Sequence, residues 1–345
     1  MKKRMSIVDF WKFAAAMLIM AHHVYHLGEP FRQYEYKTWF CWIFTEFFFI
    51  LTGYFTCRHF LAKKDSGSDI FKTGLMYEVR KFKPLLPYTT VAITLEYFLS
   101  SPYKYILNGK PDMYIKSFLT YPFEVLMLGE VFNVDERLLP MWFLSAMILV
   151  FPIITAVCQL KSKYLILLLS GAFPIFYFLR AQISISFPDS LLRALAGMLL
   201  GVFVCVLTDV IREERPVKDG KMTKIVFSLV EFSCMIICVV VSVFNYYAFT
   251  QVVIFLFAVA IGVMMSGHSI TAEFNNGFVS YLGNLSMPIF IWNWLVASAL
   301  YKLRNYLPGY ARVLLFYAIT LAVSAASYSL INSIKKKIQI KKQKA

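Results

Sequence analysis

Apolar stretches about twenty residues long recur from one end of this 345-residue chain to the other, and they leave little choice of fold class. A helix needs about 20 residues to cross the ~30 Å hydrocarbon core of a bilayer. Inside that core only helices and closed barrels satisfy their own backbone. Ten such stretches stand out, at 7–27, 39–57, 84–100, 139–158, 164–180, 192–210, 225–245, 248–266, 278–300 and 312–332. A further apolar piece, 117–133, contains Pro122, Glu124, Gly129 and Glu130 and reads as a re-entrant or interfacial segment packed in protein. The expectation is an all-α bundle of about ten transmembrane helices over residues 1–334, with a basic cytoplasmic tail over 335–345.

Charge supports that count and sets the orientation. Only 16% of residues are charged, against about a quarter in soluble domains. With the N-terminus inside, 23 of the 35 Lys and Arg residues fall in cytoplasmic segments and 11 outside, as the positive-inside rule requires. Making 117–133 a full crossing would put KKKIQIKKQKA on the outside, against the rule. The net charge of +15 therefore reflects topology and attraction to anionic membrane lipids, and calls for no nucleic acid. The basic loop 58–83 holds KKDSGSD, a turn-forming linker. After MKKRMS the apolar run has no small-x-small cleavage site and reads as a retained first span. The six cysteines sit in or beside spans without a C-x-x-C pair, which supports neither disulfides nor a metal site.

The first span keeps five ionisable side chains, Asp9, Lys12, His22, His23 and His26. An ionisable residue at membrane depth costs a few kcal/mol and points to function. At 100° per residue, Asp9, Lys12, His23 and His26 share one arc of about 100°, whereas His22 lies near its edge. Such a stripe must face the bundle interior or a wet cavity. Lys12 stands roughly 8 Å and His23 roughly 24 Å from the cytoplasmic start of the span, a spread that suits a group handed across the membrane. Glu46 in the second span is placed to hold a histidine in one tautomer, as in acid–base dyads. Glu96 and Glu231 have no evident partner and read as structural.

These residues resemble the acyltransferase-3 family of integral-membrane acyltransferases. Its first-span pattern, G-L-D-x-L-R followed by an apolar run ending in histidine, is met by Asp9, Lys12 and His23. Its [DE]-x-F-F-x-x-[ST]-G-[FY] element appears at Glu46, Phe48, Phe49, Thr52, Gly53 and Tyr54, and its basic third-span element at Arg80, Lys83, Pro87 and Tyr88. LPMWFLSAMIL, RALAGMLLG and GNLSMPIFIWNW resemble three further family elements in order. Lys12 and Lys83 stand where the family has arginine, and Asn293 where its late element has histidine. The resemblance implies a bacterial plasma-membrane enzyme with both termini cytoplasmic and no bound cofactor. Its co-substrate would be cytoplasmic acyl-CoA, acetyl-CoA by preference, and its acceptor a cell-surface or lipid-linked glycan hydroxyl. His23 would deprotonate the acceptor hydroxyl or ferry the acyl group, with Glu46 orienting it. Lys12, Arg80, Lys81 and Lys83 would meet the donor, with Asp9, His22, His26, Tyr88 and Asn293 in support. A polytopic glycan or lipid transporter is the alternative, although the two halves show no matching Gly/Pro-broken helices.

Overall fold

Apolar runs become helices along nearly the whole chain in the computed structural model, which describes residues 5–29, 31, 39–63, 69–99, 106, 109–129, 140–179, 189–214 and 220–344. Among these residues there are no strands. The helices are α1 (Ser6–His22), α2 (Phe44–Leu61), α3 (Ile70–Phe82), α4 (Leu86–Leu99), α5 (Pro111–Val125) and α6 (Met141–Cys158). They continue with α7 (Lys163–Leu179), α8 (Asp189–Glu214), α9 (Lys221–Val243), α10 (Thr250–Ser266), α11 (Gly277–Lys302) and α12 (Gly309–Lys344). A 3-10 turn, His23–Leu27, prolongs α1, and another, Trp39–Ile43, leads into α2. α12 runs unbroken through the basic segment at 335–344.

Six helices are long and apolar enough to cross a membrane: α1 with its 3-10 turn, α2, α6, α8, α9 and α12. Two more apolar helices, Lys163–Ile175 and Thr250–Ser266, are shorter. α11 has the length, 26 residues, but gives positions to Ser280, Asn284, Ser286 and Asn293. The chain is an all-α, multi-pass membrane protein. Burial orders the bundle from centre to rim: 83% of the α2 window is inside the protein, against 28% for α9 and 17% for α12.

Two segments differ from the sequence reading. The loop 58–83 contains a 13-residue helix, α3. Asp69 starts it by accepting hydrogen bonds from Phe71 N and Lys72 N at 2.9 and 3.4 Å, the usual action of an N-cap carboxylate. The piece 117–133 contributes only the end of α5, a 15-residue helix with Pro122 inside it. A φ of 60° at Met127 then turns the chain, and Glu130 with the rest of that piece lies outside the described residues.

Two parallel seams organise the centre. In the first, α1 lies along α11: Ser6 Oγ sits 3.2 Å from Ser280 Oγ, Asp9 backs onto Gly283, and His23 meets Asn293. In the second, α2 lies along α8, whose GMLLG sequence places Gly197 and Gly201 one turn apart. A Cβ at Gly201 would strike the Ile50 carbonyl, one at Gly53 the Met198 carbonyl, and one at Gly197 would come within 2.7 Å of Phe49 Cβ. Small residues let helix backbones touch where lipid gives no hydrophobic push. The FFF run of α2 reaches the surrounding helices: Phe49 lies 4.4 Å from Phe143 and Phe47 5.7 Å from Phe257, centroid to centroid.

Candidate active site

α1 changes its winding where the histidines begin. The α-helix ends at His22 and His23–Leu27 form a 3-10 turn, in which residues three apart eclipse. His23 and His26 therefore stay on one side, their rings 6.1 Å apart. Trp294 of α11 caps that side edge-on, 5.7 Å from His23 and 4.0 Å from His26. Gly28 closes the turn with a φ of 83°, open to glycine at no cost. The buried Arg312 of α12 then donates to the Leu27 and Glu29 carbonyls, satisfying acceptors that a helix end leaves over.

His23 is 5% exposed and its Nδ1 lies 2.6 Å from Asn293 Oδ1. The Asn293 amide is itself fixed, because Nδ2 donates to the Ile289 and Phe290 carbonyls at 3.1 and 2.8 Å. With both amide hydrogens engaged, its oxygen faces the imidazole and can only accept. The proton of neutral His23 therefore resides on Nδ1, and Nε2 carries the lone pair. This is the arrangement a general base needs, with a neutral orienter in place of a carboxylate. His22 is also buried, its ring 5.2 Å from that of His23.

The expected partnership of Glu46 with His23 is replaced. Glu46 accepts from Arg193 Nε at 2.8 Å, and Arg193 Nη2 donates to Thr45 Oγ1 at 3.1 Å. The guanidinium lies between the Trp42 and Trp142 rings, 4.4 and 4.7 Å from their centroids. The glycine seam brings α8 so close to α2 that Arg193 reaches the carboxylate before anything on α1 does. A buried carboxylate facing a guanidinium takes it, because the charge-assisted pair offsets desolvation.

The remaining candidates separate into groups. Asp9 and Lys12 pair at 3.2 Å near the start of the α1–α11 seam. Tyr88 is buried on α4. Arg80 and Lys83 are exposed at the C-terminal end of α3, beside the exposed Phe71, Leu75 and Val79. Lys81 instead turns inward, its ammonium 5.3 Å above the Phe151 ring, and burial lowers its pKa from 10.5 to about 7. Burial raises that of Glu78, on the same helix, from 4.5 to about 7.

A family model described as an acyltransferase domain matches residues 5–330, a range that takes in every site residue described above. The chain belongs to the acyltransferase-3 family. It is a membrane acyltransferase. No curated protein and no solved structure matches it. In this acyltransferase the sequence reading did not single out Arg193, Trp294 or Arg312. Both arginines carried a signal: each sits about one turn inside an apolar helix, in DSLLRALAG and GYARVLL, where a cation must find a partner. Trp294 carried none.

Proposed function

We propose that this acyltransferase moves an acyl group, acetyl by preference, from cytoplasmic acyl-CoA to a hydroxyl of a cell-surface or lipid-linked glycan, with His23 as general base. The carrying observation is the Asn293 amide, whose fixed orientation leaves the lone pair of His23 on Nε2. In the proposed reaction Nε2 takes the acceptor hydroxyl proton as that oxygen attacks the thioester carbonyl. The carbon–sulfur bond breaks and the imidazolium returns its proton to the CoA thiolate. Such assistance contributes about 10²–10⁴ in rate. Lys12, Arg80, Lys81 and Lys83 are the cations proposed for the donor phosphates, which lysine meets as a point charge and arginine as a fork. Glu46, engaged by Arg193, is proposed to hold the bundle around the base.

Ten crossings in a bacterial plasma membrane, with both termini inside, complete the proposal. Parity supports the number. Helices packed parallel need an odd number of crossings between them. Between α2 and α8, the helices α4, α6 and α7 supply three, whereas adding α5 would make the pair antiparallel. The test is reconstitution with acetyl-CoA and purified cell-surface glycan. Free CoA thiol should appear only when glycan is present, in step with O-acetyl groups on the glycan. Glycan crossing the bilayer with no thiol released would overturn the enzyme reading in favour of a transporter.

A further inference from the structure

Two cavities on the cytoplasmic half of α8 meet at Thr208 and Arg212. One is a trough of about 400 Å³ between α8, α9 and α10, walled by side chains such as Leu200, Phe203, Phe255, Val259 and Val263. It opens outward, since Phe255 and Val259 are exposed on the bundle surface. The other, of about 180 Å³, lies between α2 and α8 and is lined by Tyr54, Arg58, Asp209 and Arg212. An apolar groove thus runs into a polar recess carrying two guanidinium groups.

Those two cations have few calls on them. Arg58 donates to Tyr54 Oη at 3.2 Å, and Arg212 to the Met265 and Ser266 carbonyls at 3.4 and 2.6 Å. Neither is paired with a carboxylate among the described residues, and Asp209 is held by Lys163 at 2.8 Å. A guanidinium has five donors in a planar fork, so most remain open. Cations at the edge of the hydrocarbon region call for an anion, and a phosphodiester fits the fork. The trough adds the second half of the ligand. Inside a bilayer it is filled by a hydrocarbon chain in any case, so the recess does the choosing.

We infer that this composite cavity binds one anionic phospholipid of the cytoplasmic leaflet, an acyl chain in the trough and the phosphate between Arg58 and Arg212. The site is separate from His23 and stands whether or not the acceptor is a glycan. It would couple the α2–α8 pair to the peripheral α9 and α10 through a lipid, and make the bundle sensitive to leaflet composition.

The test reconstitutes the whole chain in nanodiscs of mixed phosphatidylglycerol and phosphatidylcholine, then counts retained lipid by native mass spectrometry. Wild type should keep phosphatidylglycerol in preference. Arg58→Gln, which gives up one hydrogen bond to Tyr54, should weaken retention by about tenfold, and the Arg58→Gln/Arg212→Gln pair by more. Val259→Trp fills the trough from an exposed position and should expel the lipid with both arginines intact. Glycerol 3-phosphate, which has a phosphate but no chain, should not compete. Equal retention of the two lipids by wild type, or undiminished retention in Val259→Trp, would overturn the proposal. Competition by glycerol 3-phosphate would do the same, turning the recess into a site for free phosphate.

Discussion

The α1–α11 and α2–α8 seams are both parallel, and they differ in what holds most of their length. Along α2–α8, glycines bring backbone against backbone, and polar groups gather at the two ends, where Arg193 meets Glu46 and where Arg58 and Arg212 line a recess. Along α1–α11, polar side chains meet on either side of a single glycine contact: Ser6 with Ser280 and His23 with Asn293, with Asp9 backed on Gly283 between them. A backbone contact has one geometry and nothing to donate, so it suits a scaffold. A side-chain contact can leave part of a group for other work, as His23 meets Asn293 through Nδ1 and keeps its lone pair on Nε2. In lipid, helices associate through either device, and in the proposed mechanism the first supports while the second serves the chemistry.

The largest effect should be His23→Ala. Acyl transfer should fall by about 10²–10⁴ while membranes hold the same amount of protein, measured by product formation and immunoblot together. A parallel loss of protein would make α1–α11 a second scaffold and end the contrast. Next comes Arg193→Ala, which leaves the Glu46 carboxylate buried without its partner. Breaking such a pair costs about 3–5 kcal/mol, readable as a lower midpoint of thermal unfolding in detergent. The Glu46→Ala/Arg193→Ala double variant should be no less stable than Arg193→Ala, since the two act as one unit. By contrast, losses of activity from Glu46→Ala and His23→Ala should multiply. A double variant no worse than His23→Ala would place Glu46 back beside the base.

A smaller effect is expected of Gly201→Ala. Its new methyl meets a carbonyl rather than a movable side chain, and overpacking of this sort costs about 1–3 kcal/mol. Stability should drop, with the activity per folded molecule unchanged. Gly277→Ala is a control, since nothing lies within 4 Å of its Cβ. The smallest effect belongs to α3, outside both seams. Glu78 has its pKa raised from 4.5 to about 7, so its contribution to docking is present below about 4.5 and lost as pH rises towards 7. Lys81 is lowered from 10.5 to about 7. The undocked helix therefore binds more protons between those values, and docking strengthens as pH climbs through that window. Hydrogen-exchange protection of α3 should accordingly pass through a minimum near pH 7. Glu78→Gln should flatten the acid limb and Lys81→Met the alkaline one.

What was legible in the sequence follows the range of each interaction. Membrane helices announce themselves through runs of local composition, and the α1 stripe follows from 100° per residue over three turns. α3 was missed because a 13-residue amphipathic helix beside KKDSGSD has neither the length nor the hydropathy of a span. Its exposed Phe71, Leu75 and Val79 mark it as a helix at the membrane boundary only once its orientation is known. Partners were least legible. Asn293 was noted as standing where the family has histidine, but nothing local says that its amide turns its oxygen to a histidine 270 positions away. Glu46 meets Arg193 rather than His23, a pairing 147 positions apart that no local pattern announces, because only the glycine contact between α2 and α8 brings the two together.

The 3-10 turn bearing His23 carries a consequence for how the protein is made. Its lateral supports come last in the chain: Asn293 is 270 residues downstream, and Arg312 is 285 residues beyond Leu27. At a synthesis rate of about 5–20 residues per second, the first span waits on the order of 15 to 55 s for them. Through that interval Asp9, Lys12 and the histidines need water, lipid headgroups or the insertion machinery as temporary company. A ribosome that stalls before α11 emerges leaves a chain with the His23 imidazole unoriented and its turn unpinned. With His23 as the proposed base, the enzyme is silent until α11 and α12 have been delivered, and biosynthesis itself acts as the first switch on its activity.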